Sequence, residues 1–352
     1  MRKETYNKLA EYNKQLAQVF NIDEDHIVRG HEFNVEPTLK QKLEDAVQLE
    51  SDFLSKINIV PVDELEGETL KLGVTSSIAG RTDTDTGERQ GANFTGLTSH
   101  KYKCVTVEYD TTLSYAQIDA WAKFKDFAQR IAKQKTKRIA LDRLMVGFNG
   151  TSVAKQTDRK QNPLLQDVNI GWLEHIRNDA PAHVLSSVKL IKGSASDLAK
   201  YKTKDDEYKT LDALVYEARY TAIPDEFNND TELVVVVGSD FMKKAFAPYK
   251  NETKPTEKIA GDIIVSQKFI GGLQVVAAPF FPRNSLLITR LDNLSIYYQS
   301  SGTRRRWVDD VKKNRYLDLL SSPEGYVVEN YDAVALIENI TTIDLDEKAV
   351  TE

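Results

Sequence analysis

The first third of the chain moves between sparse helical stripes and short strand-like runs. In residues 1–33, Leu9, Leu16, Val19, Phe20 and Ile22, with Tyr6 and Tyr12, recur at helical spacing in a charged background. The stripe is too thin to make a core alone, so it predicts a helix that packs on the body of the protein or on a partner. Gly30 and Pro37 punctuate the chain after it. Residues 38–56 predict a second amphipathic helix, with Leu39, Leu43, Val47 and Leu54 near one face, leading into the apolar strand INIVPV. LKLGVTSSIA and YKCVTVEYDTTLSY then read as strands, and the alternation at Cys104, Val105, Val107 and Tyr109 suits a half-exposed antiparallel ribbon. Between them GRTDTDTGERQG (80–91) carries no apolar side chain, so the simplest element is a hairpin with a long polar tip.

The pattern then changes. Residues 116–150 predict one uninterrupted helix about 45–50 Å long, because apolar positions from Ile118 to Phe148 keep helical spacing and no Pro or Gly intervenes before Gly147. Asn149-Gly150 supplies its stop. A loop and a short helix, NIGWLEHIRNDAP, follow. From residue 210 the pattern is α/β. TLDALVYEARYTAI is an amphipathic helix stopped by Pro224, and ELVVVVG is a continuous apolar run suited to a strand buried on both faces. SDFMKKAFAPYK is a helix, and the IIVSQKFIGGLQVVAAPFFP and SLLITRLDNLSIYYQ segments supply further strands. YVVENYDAVALIENI (326–340) predicts one more strand, returning to the long helix.

Composition narrows the classes. At 352 residues, two or more lobes are expected. The single cysteine, Cys104, excludes an internal disulfide and a Cys-cluster zinc site, and is expected to be a small buried hydrophobe. No run approaches the ~20 apolar residues needed to span a bilayer, and the polar N-terminus is unlike a signal peptide, so a reducing cytoplasm and no membrane contact are expected. The net charge of -6 argues against nucleic acid as the primary ligand.

The chemical motifs are weak. Asp83, Asp85 and Gly87 hint at a calcium loop, but strands rather than helices flank them and the terminal Glu is misplaced. VVVVGSDFM resembles a nucleophile elbow without its second glycine, and Ser239 or Asp240 as a helix N-cap explains the same residues. Gly271-Gly272 reads as a tight turn between strands. His26, His31, His100, His175 and His183 show no metal spacing. No catalytic, cofactor or metal residue is expected. KQKTKR (133–138) is a basic patch on the long helix, either a solvated face or a weak polyanion contact, and SSGTRRRW (300–307) is a three-arginine cluster at a turn, either a solvated hairpin tip or a contact with acidic groups on a neighbouring chain.

Several multi-residue blocks, in order, carry a resemblance that runs from Phe33 to about Ile340. They are FNVEPT, ESDFLSKINIVPV, GVTSSIAGRTDT with ERQ, LDRLMVGFNG, TDRKQNPLLQDVNIGWL, RNDAPAHV, LDNLSIYY and YVVENYDA. The chain thereby resembles the peduovirus-type major capsid proteins of temperate myophages, tailed phages whose capsid subunit has the HK97-like fold. The resemblance implies an α+β subunit that self-assembles, without a cofactor, into pentamers and hexamers of an icosahedral head shell enclosing double-stranded DNA.

It also implies a division of the chain. Residues 1–33 would be a scaffold-like segment removed by a phage protease within His31, Glu32, Phe33 and Asn34. Residues 34–65 would be the N-terminal arm and 66–115 an extended hairpin loop lying over a neighbour. Residues 116–205 would be the peripheral domain with its spine helix, 206–325 the axial domain, 326–342 a return strand of the peripheral domain, and 343–352 a tail. Intersubunit contacts are expected at Arg81, Asp83, Asp85, Glu88 and Arg89 on the hairpin tip, and at Arg304, Arg305 and Arg306. The implied partners are further copies of the chain, the scaffolding or protease, portal and other head proteins, and, only weakly, packaged DNA. The implied location is the virion head, assembled in the cytoplasm of the bacterial host. From the residues alone, a cytoplasmic α/β enzyme with an unrecognised site in 206–325 stays open, as does a nucleic-acid-binding module.

Overall fold

The computed structural model describes residues 3–74, 79, 81–83, 85, 88, 95–121, 124, 126–192, 198, 200–238 and 269–345. Helices α1 (Lys3–Phe20) and α2 (Glu24–Val28) open the chain, and the Asp23 carboxylate starts α2 by accepting from the Asp25 N–H. A two-residue strand, β1 (Phe33–Asn34), precedes α3 (Pro37–Leu49), which begins at a proline whose missing N–H is no loss in a first turn. Strand β2 (Asn58–Val62) follows.

The expected hairpin is present. β3 (Glu66–Val74) and β4 (Thr95–Lys103) pair antiparallel from Glu66↔Lys103 to Val74↔Thr95 and form a sheet of their own. Nine residues per strand give it a reach of roughly 30 Å. YKCVTVEYDTTLSY is not one strand: it is shared among β4, β5 (Val105–Glu108) and β6 (Thr111–Ser114). Cys104 is buried at the junction, as expected, against Tyr297 and Val327.

The predicted single helix over 116–150 is two helices, α4 (Tyr115–Trp121) and α5 (Phe127–Asn149), with Phe124 in a bend and Asp126 in a turn between them. The two apolar stretches serve different cores. Ile118, Trp121 and Ile131 pack around the N-terminal helices, whereas Ile139, Ala140, Leu144, Val146 and Phe148 enter the main core. Asp126 stands at the start of α5, where a carboxylate is favoured by the helix dipole, and accepts from Arg130 Nε at 2.7 Å.

Beyond α5 lie α6 (Trp172–Asp179), β7 (Val184–Ser186), β8 (Lys189–Lys192), β9 (Glu207–Tyr208), α7 (Leu211–Ala222) and β10 (Val234–Gly238). Thr210 caps α7 by accepting from the Ala213 N–H. The predicted helix SDFMKKAFAPYK, and with it Ser239 and Asp240, lies outside the described residues. The chain resumes with β11 (Phe269–Ile270), β12 (Leu273–Ala278), β13 (Leu286–Thr289), β14 (Leu294–Gln299), β15 (Arg304–Asp310), β16 (Arg315–Val328), β17 (Val334–Glu338) and β18 (Thr341–Asp344). Gly271 and Gly272, both at positive φ, make the expected tight turn between β11 and β12.

Two larger sheets organise the body. One runs β11-β12-β10-β13-β17-β7 and is covered on both faces. Val234 and Val236 face the core shared with α5 and α6, while Val235 and Val237 face α7. That two-sided burial is why ELVVVVG is apolar throughout. The other runs β1-β15-β16-β14-β2, with β5 and β6 also pairing to β16. The single strand expected over 326–340 is instead the end of β16, a turn at Tyr331–Ala333 and β17. The Asn330 side chain forms that turn by accepting from the Asp332 N–H, and Asn293 clamps the Asn330 backbone from both sides. β16 crosses the expected 325/326 boundary without a break.

Helix α6 meets α5 at unusually close range. Gly147 lies under the Trp172 ring and Gly171 against the Gly147 carbonyl, so a Cβ at either position would overlap its neighbour. Trp172, fully buried, donates from Nε1 to the Ser295 carbonyl at 2.9 Å and ties α6 to β14.

Candidate functional site: the N-terminal seat and the long hairpin

The N-terminal segment is seated on the body through a core of its own. Leu9, Tyr12, Ala17 and Ile27 bury themselves against Ile118, Trp307 and Tyr316. Tyr12 packs on Trp307 with ring centroids 5.3 Å apart, and Trp307 stacks on Tyr316 at 5.3 Å. The thin stripe read from the sequence therefore finds its missing half on α4, β15 and β16.

The arginine cluster lies at this seat. Only Ser300–Thr303 form a turn; Arg304, Arg305 and Arg306 belong to β15. Arg305 donates to both oxygens of Asp318, at 2.9 and 2.8 Å, and lies over the Phe20 ring at 5.1 Å. Lys135 reaches the same carboxylate at 2.8 Å. Burial pushes the Asp318 carboxyl up, but Arg305 and Lys135 outweigh it and hold the group at about 2. Burial raises the nearby Tyr12 phenol to about 12, so its hydroxyl stays neutral beside Arg305. Arg306 donates from Nε to the Gly30 carbonyl at 2.7 Å, and Arg304, largely exposed, lies 3.5 Å from Glu32. All three arginines thus have partners within the chain.

His31, Glu32, Phe33 and Asn34 form the edge of the seat. β1 pairs antiparallel with β15, Phe33 opposite Arg305 and Asn34 opposite Arg304. Phe33 is buried against Phe20, ring centroids 5.2 Å apart, whereas His31, Glu32 and Asn34 are exposed.

The second surface is the hairpin. Its base is anchored by Tyr102 on Tyr297 (5.1 Å) and by His100 against Tyr331 (4.9 Å). Of the tip residues, Arg81, Asp83, Asp85 and Glu88 are exposed, and the Asp85 N–H donates to Asp83 Oδ1 at 3.0 Å; Arg89 lies outside the described residues. Among the described residues, no hydrogen bond or ion pair joins Arg81, Asp85 or Glu88 to the arginines of β15.

Pattern reading missed a buried charge cluster that locks the arm to the body. Lys40, Glu44, Arg143 and Glu324 are all buried. Arg143 donates to both oxygens of Glu44 and to both of Glu324, and Lys40 lies 2.5 Å from Glu44 and 2.9 Å from the Ser322 hydroxyl. Tyr109 donates to Glu324 at 2.8 Å. Burial raises the Glu44 carboxyl, but Arg143 and Lys40 reverse the effect and hold it at about 2. The missed signal was the i, i+4, i+7 spacing of Lys40, Glu44 and Val47, the fully buried row of α3, beside the half-buried Leu39 and Leu43.

Among the described residues, no group of three or more His, Cys, Asp or Glu side chains is placed to hold a metal ion, and no helix is long and apolar enough to cross a membrane.

Comparison with known proteins supplies a further finding. The family described as phage major capsid protein, P2 family, matches residues 8–340. The chain is 41% identical over 351 residues to a protein of Escherichia phage P2 described as capsid proteins, covering 99% of this chain and 98% of that one. It is 39% identical over 313 residues to the major capsid protein of Serratia phage KSP20, covering 88% and 89%. Among solved structures, a chain of the satellite phage P4 procapsid including size determination (Sid) protein superposes with a TM-score of 0.76 at 39% identity, covering 98% of this chain and 99% of that one.

Proposed function

Because this chain belongs to the P2 family of phage major capsid proteins, it is a structural subunit of a phage head shell with the HK97-like fold, and we propose how its parts divide that work. The central proposal is that the β3–β4 hairpin is the reaching contact between subunits. The observation that carries it is the isolation of this hairpin as a two-stranded sheet, whose described anchors are Tyr102 and His100 and whose described tip residues, Arg81, Asp83, Asp85 and Glu88, are charged and exposed. A tip with Arg81, Asp83, Asp85, Glu88 and Arg89 offers both signs of charge and no apolar surface. It selects register with a neighbour more than it supplies affinity, and closure of the shell sums many such weak contacts.

The other assignments follow the same division. Residues 34–65 act as the arm, locked to the body through Lys40 and Glu44. Residues 116–205 carry the peripheral unit, and 206–325 form the axial unit that converges in pentamers and hexamers, supplying α7 and four of the strands of the six-stranded sheet, β10 to β13, which β7 and β17 complete from outside that range. Residues 326–342 return the chain from one large sheet to the other. Residues 1–33 act as a scaffold-like segment removed by cleavage within His31–Asn34. Scaffold, protease and portal proteins are the proposed partners, packaged DNA is touched only weakly, and assembly takes place in the host cytoplasm.

Charge reversal at Arg81 and Arg89 tests the central proposal. The double variant is expected to fold, as judged by circular dichroism, but to give few or malformed shells by electron microscopy. Normal particles from it would remove the hairpin tip from the list of assembly contacts. The processing proposal is tested separately by the intact mass of the subunit from mature particles.

A further inference from the structure

Residues 30–35 are not a free linker. Gly30, Glu32, Phe33, Asn34 and Val35 are fastened along the outer edge of β15, while the His31 N–H turns back to the His26 carbonyl. The Gly30 carbonyl accepts from Arg306 Nε at 2.7 Å, and Gly30 itself takes a positive φ, with its Cα close enough to the Trp307 carbonyl that a Cβ would press on it. Glu32 faces Arg304, and its carbonyl lies 3.3 Å from His26 Nε2. Phe33 and Asn34 pair with Arg305 and Arg304, Phe33 is buried, and the Val35 N–H donates to the Thr303 carbonyl at 2.9 Å. A protease binds its substrate as a detached extended strand that hydrogen-bonds to the enzyme's own cleft. Here the Phe33 side chain is buried and residues 33–35 are paired to β15 along one edge, so the strand is not detached.

We propose that β15 is a gate on processing: the strip Arg304–Arg306 holds the His31–Asn34 window closed, and the bond is cut only from a state in which β1 has lifted off. This rests on the processing reading given above. Trp307 Nε1 and Thr303 Oγ1 on β15's side, and Asn13 Oδ1 on α1, are buried polar atoms without a hydrogen-bond partner, and each such atom weakens the closed state. Gate and segment thus form a two-state element, with Arg306 the contact that fixes Gly30 and Arg305 retained by Asp318 in either state.

The test needs no phage protease. Purified full-length protein is treated with low chymotrypsin, and cutting after Phe33 is followed by mass spectrometry. When opening is fast relative to cleavage, the cutting rate reports the open population. Arg306→Ala removes a charge-assisted hydrogen bond and should speed the cut about tenfold. Arg315→Ala, which breaks only the Asp310 contact at the far end of β15, should leave it unchanged. Asn34→Cys with Arg304→Cys, oxidised to join β1 to β15, should suppress the cut until reductant is added. The gate is overturned if Arg306→Ala is cut at the parent rate, if Arg315→Ala speeds the cut equally, or if the oxidised pair is cut as fast as the reduced one. An intact N-terminus in mature particles would remove the processing reading and leave these in vitro rates standing, so the two failures are distinguishable.

Discussion

The guanidinium of Arg143 on α5 meets the carboxylate of Glu324 on β16 through two hydrogen bonds, Nε to Oε2 at 3.0 Å and Nη2 to Oε1 at 2.6 Å, with both side chains sealed from solvent. Arg143 also holds Glu44 on α3, so one side chain joins arm, helix and sheet. Removing it leaves the Glu324 carboxylate buried without its cation, while Glu44 keeps only Lys40. Arg143→Met is therefore expected to lower subunit stability by about 3–5 kcal/mol, far more than loss of an exposed pair. Urea denaturation of the unassembled subunit measures it, with Arg130→Ala, whose Asp126 partner is half-exposed, as the mild comparison.

The same clusters set an acid limit. Glu44 and Asp318 sit at about 2 in the folded protein, below their ordinary values of 4.5 and 3.8. A carboxylate with a lowered folded value contributes stability that is fully present above its unfolded value and lost as pH falls through the folded one. Stability should thus be flat near neutrality and fall between roughly pH 4.5 and 2. Denaturation midpoints taken across that range check it, and Glu44→Gln should flatten the fall while lowering stability at neutral pH. A midpoint that does not move down to pH 2 would contradict the assignment.

Gly147 gives a prediction of opposite sign to helix propensity. In an exposed helix interior, Gly→Ala stabilises by about 1 kcal/mol. Here the added methyl meets the buried Trp172 ring, which is fixed by its bond to Ser295 and by Phe148 and Tyr326 around it. Gly147→Ala should destabilise by about 1–3 kcal/mol, the range for overpacking, and lower the melting temperature.

Deleting residues 1–33 strips the cover from Trp307, Tyr316 and Ile118. The truncated chain is expected to bind the dye ANS, to show red-shifted tryptophan emission, and to give misshapen or wrongly sized shells. Uniform closed shells from it would argue against a scaffolding role for the segment, whatever the dye reports.

Sequence periodicity by itself determined the local elements. The N-terminal stripe, the hairpin around a polar tip, the two-faced burial of ELVVVVG and the turn at Gly271-Gly272 were all legible, because each depends on residues close in the chain. The multi-residue blocks from FNVEPT to YVVENYDA also carried the family. Tertiary structure alone decided the rest. The chain breaks between α4 and α5, and the division between cores falls later, inside α5 between Ile131 and Ile139; spacing recorded neither. No local pattern marks Lys40, Glu44 and Arg143 as a buried cluster; Glu324, 181 residues beyond Arg143, completes it in the interior. Arg304, Arg305 and Arg306 read as a surface cluster for a neighbour, yet the fold brings Asp318, Gly30 and Glu32 to them. The physical reason is common to these cases: a charge is tolerated in a core only through a partner, and which partner arrives is fixed by long-range strand pairing that no local pattern records.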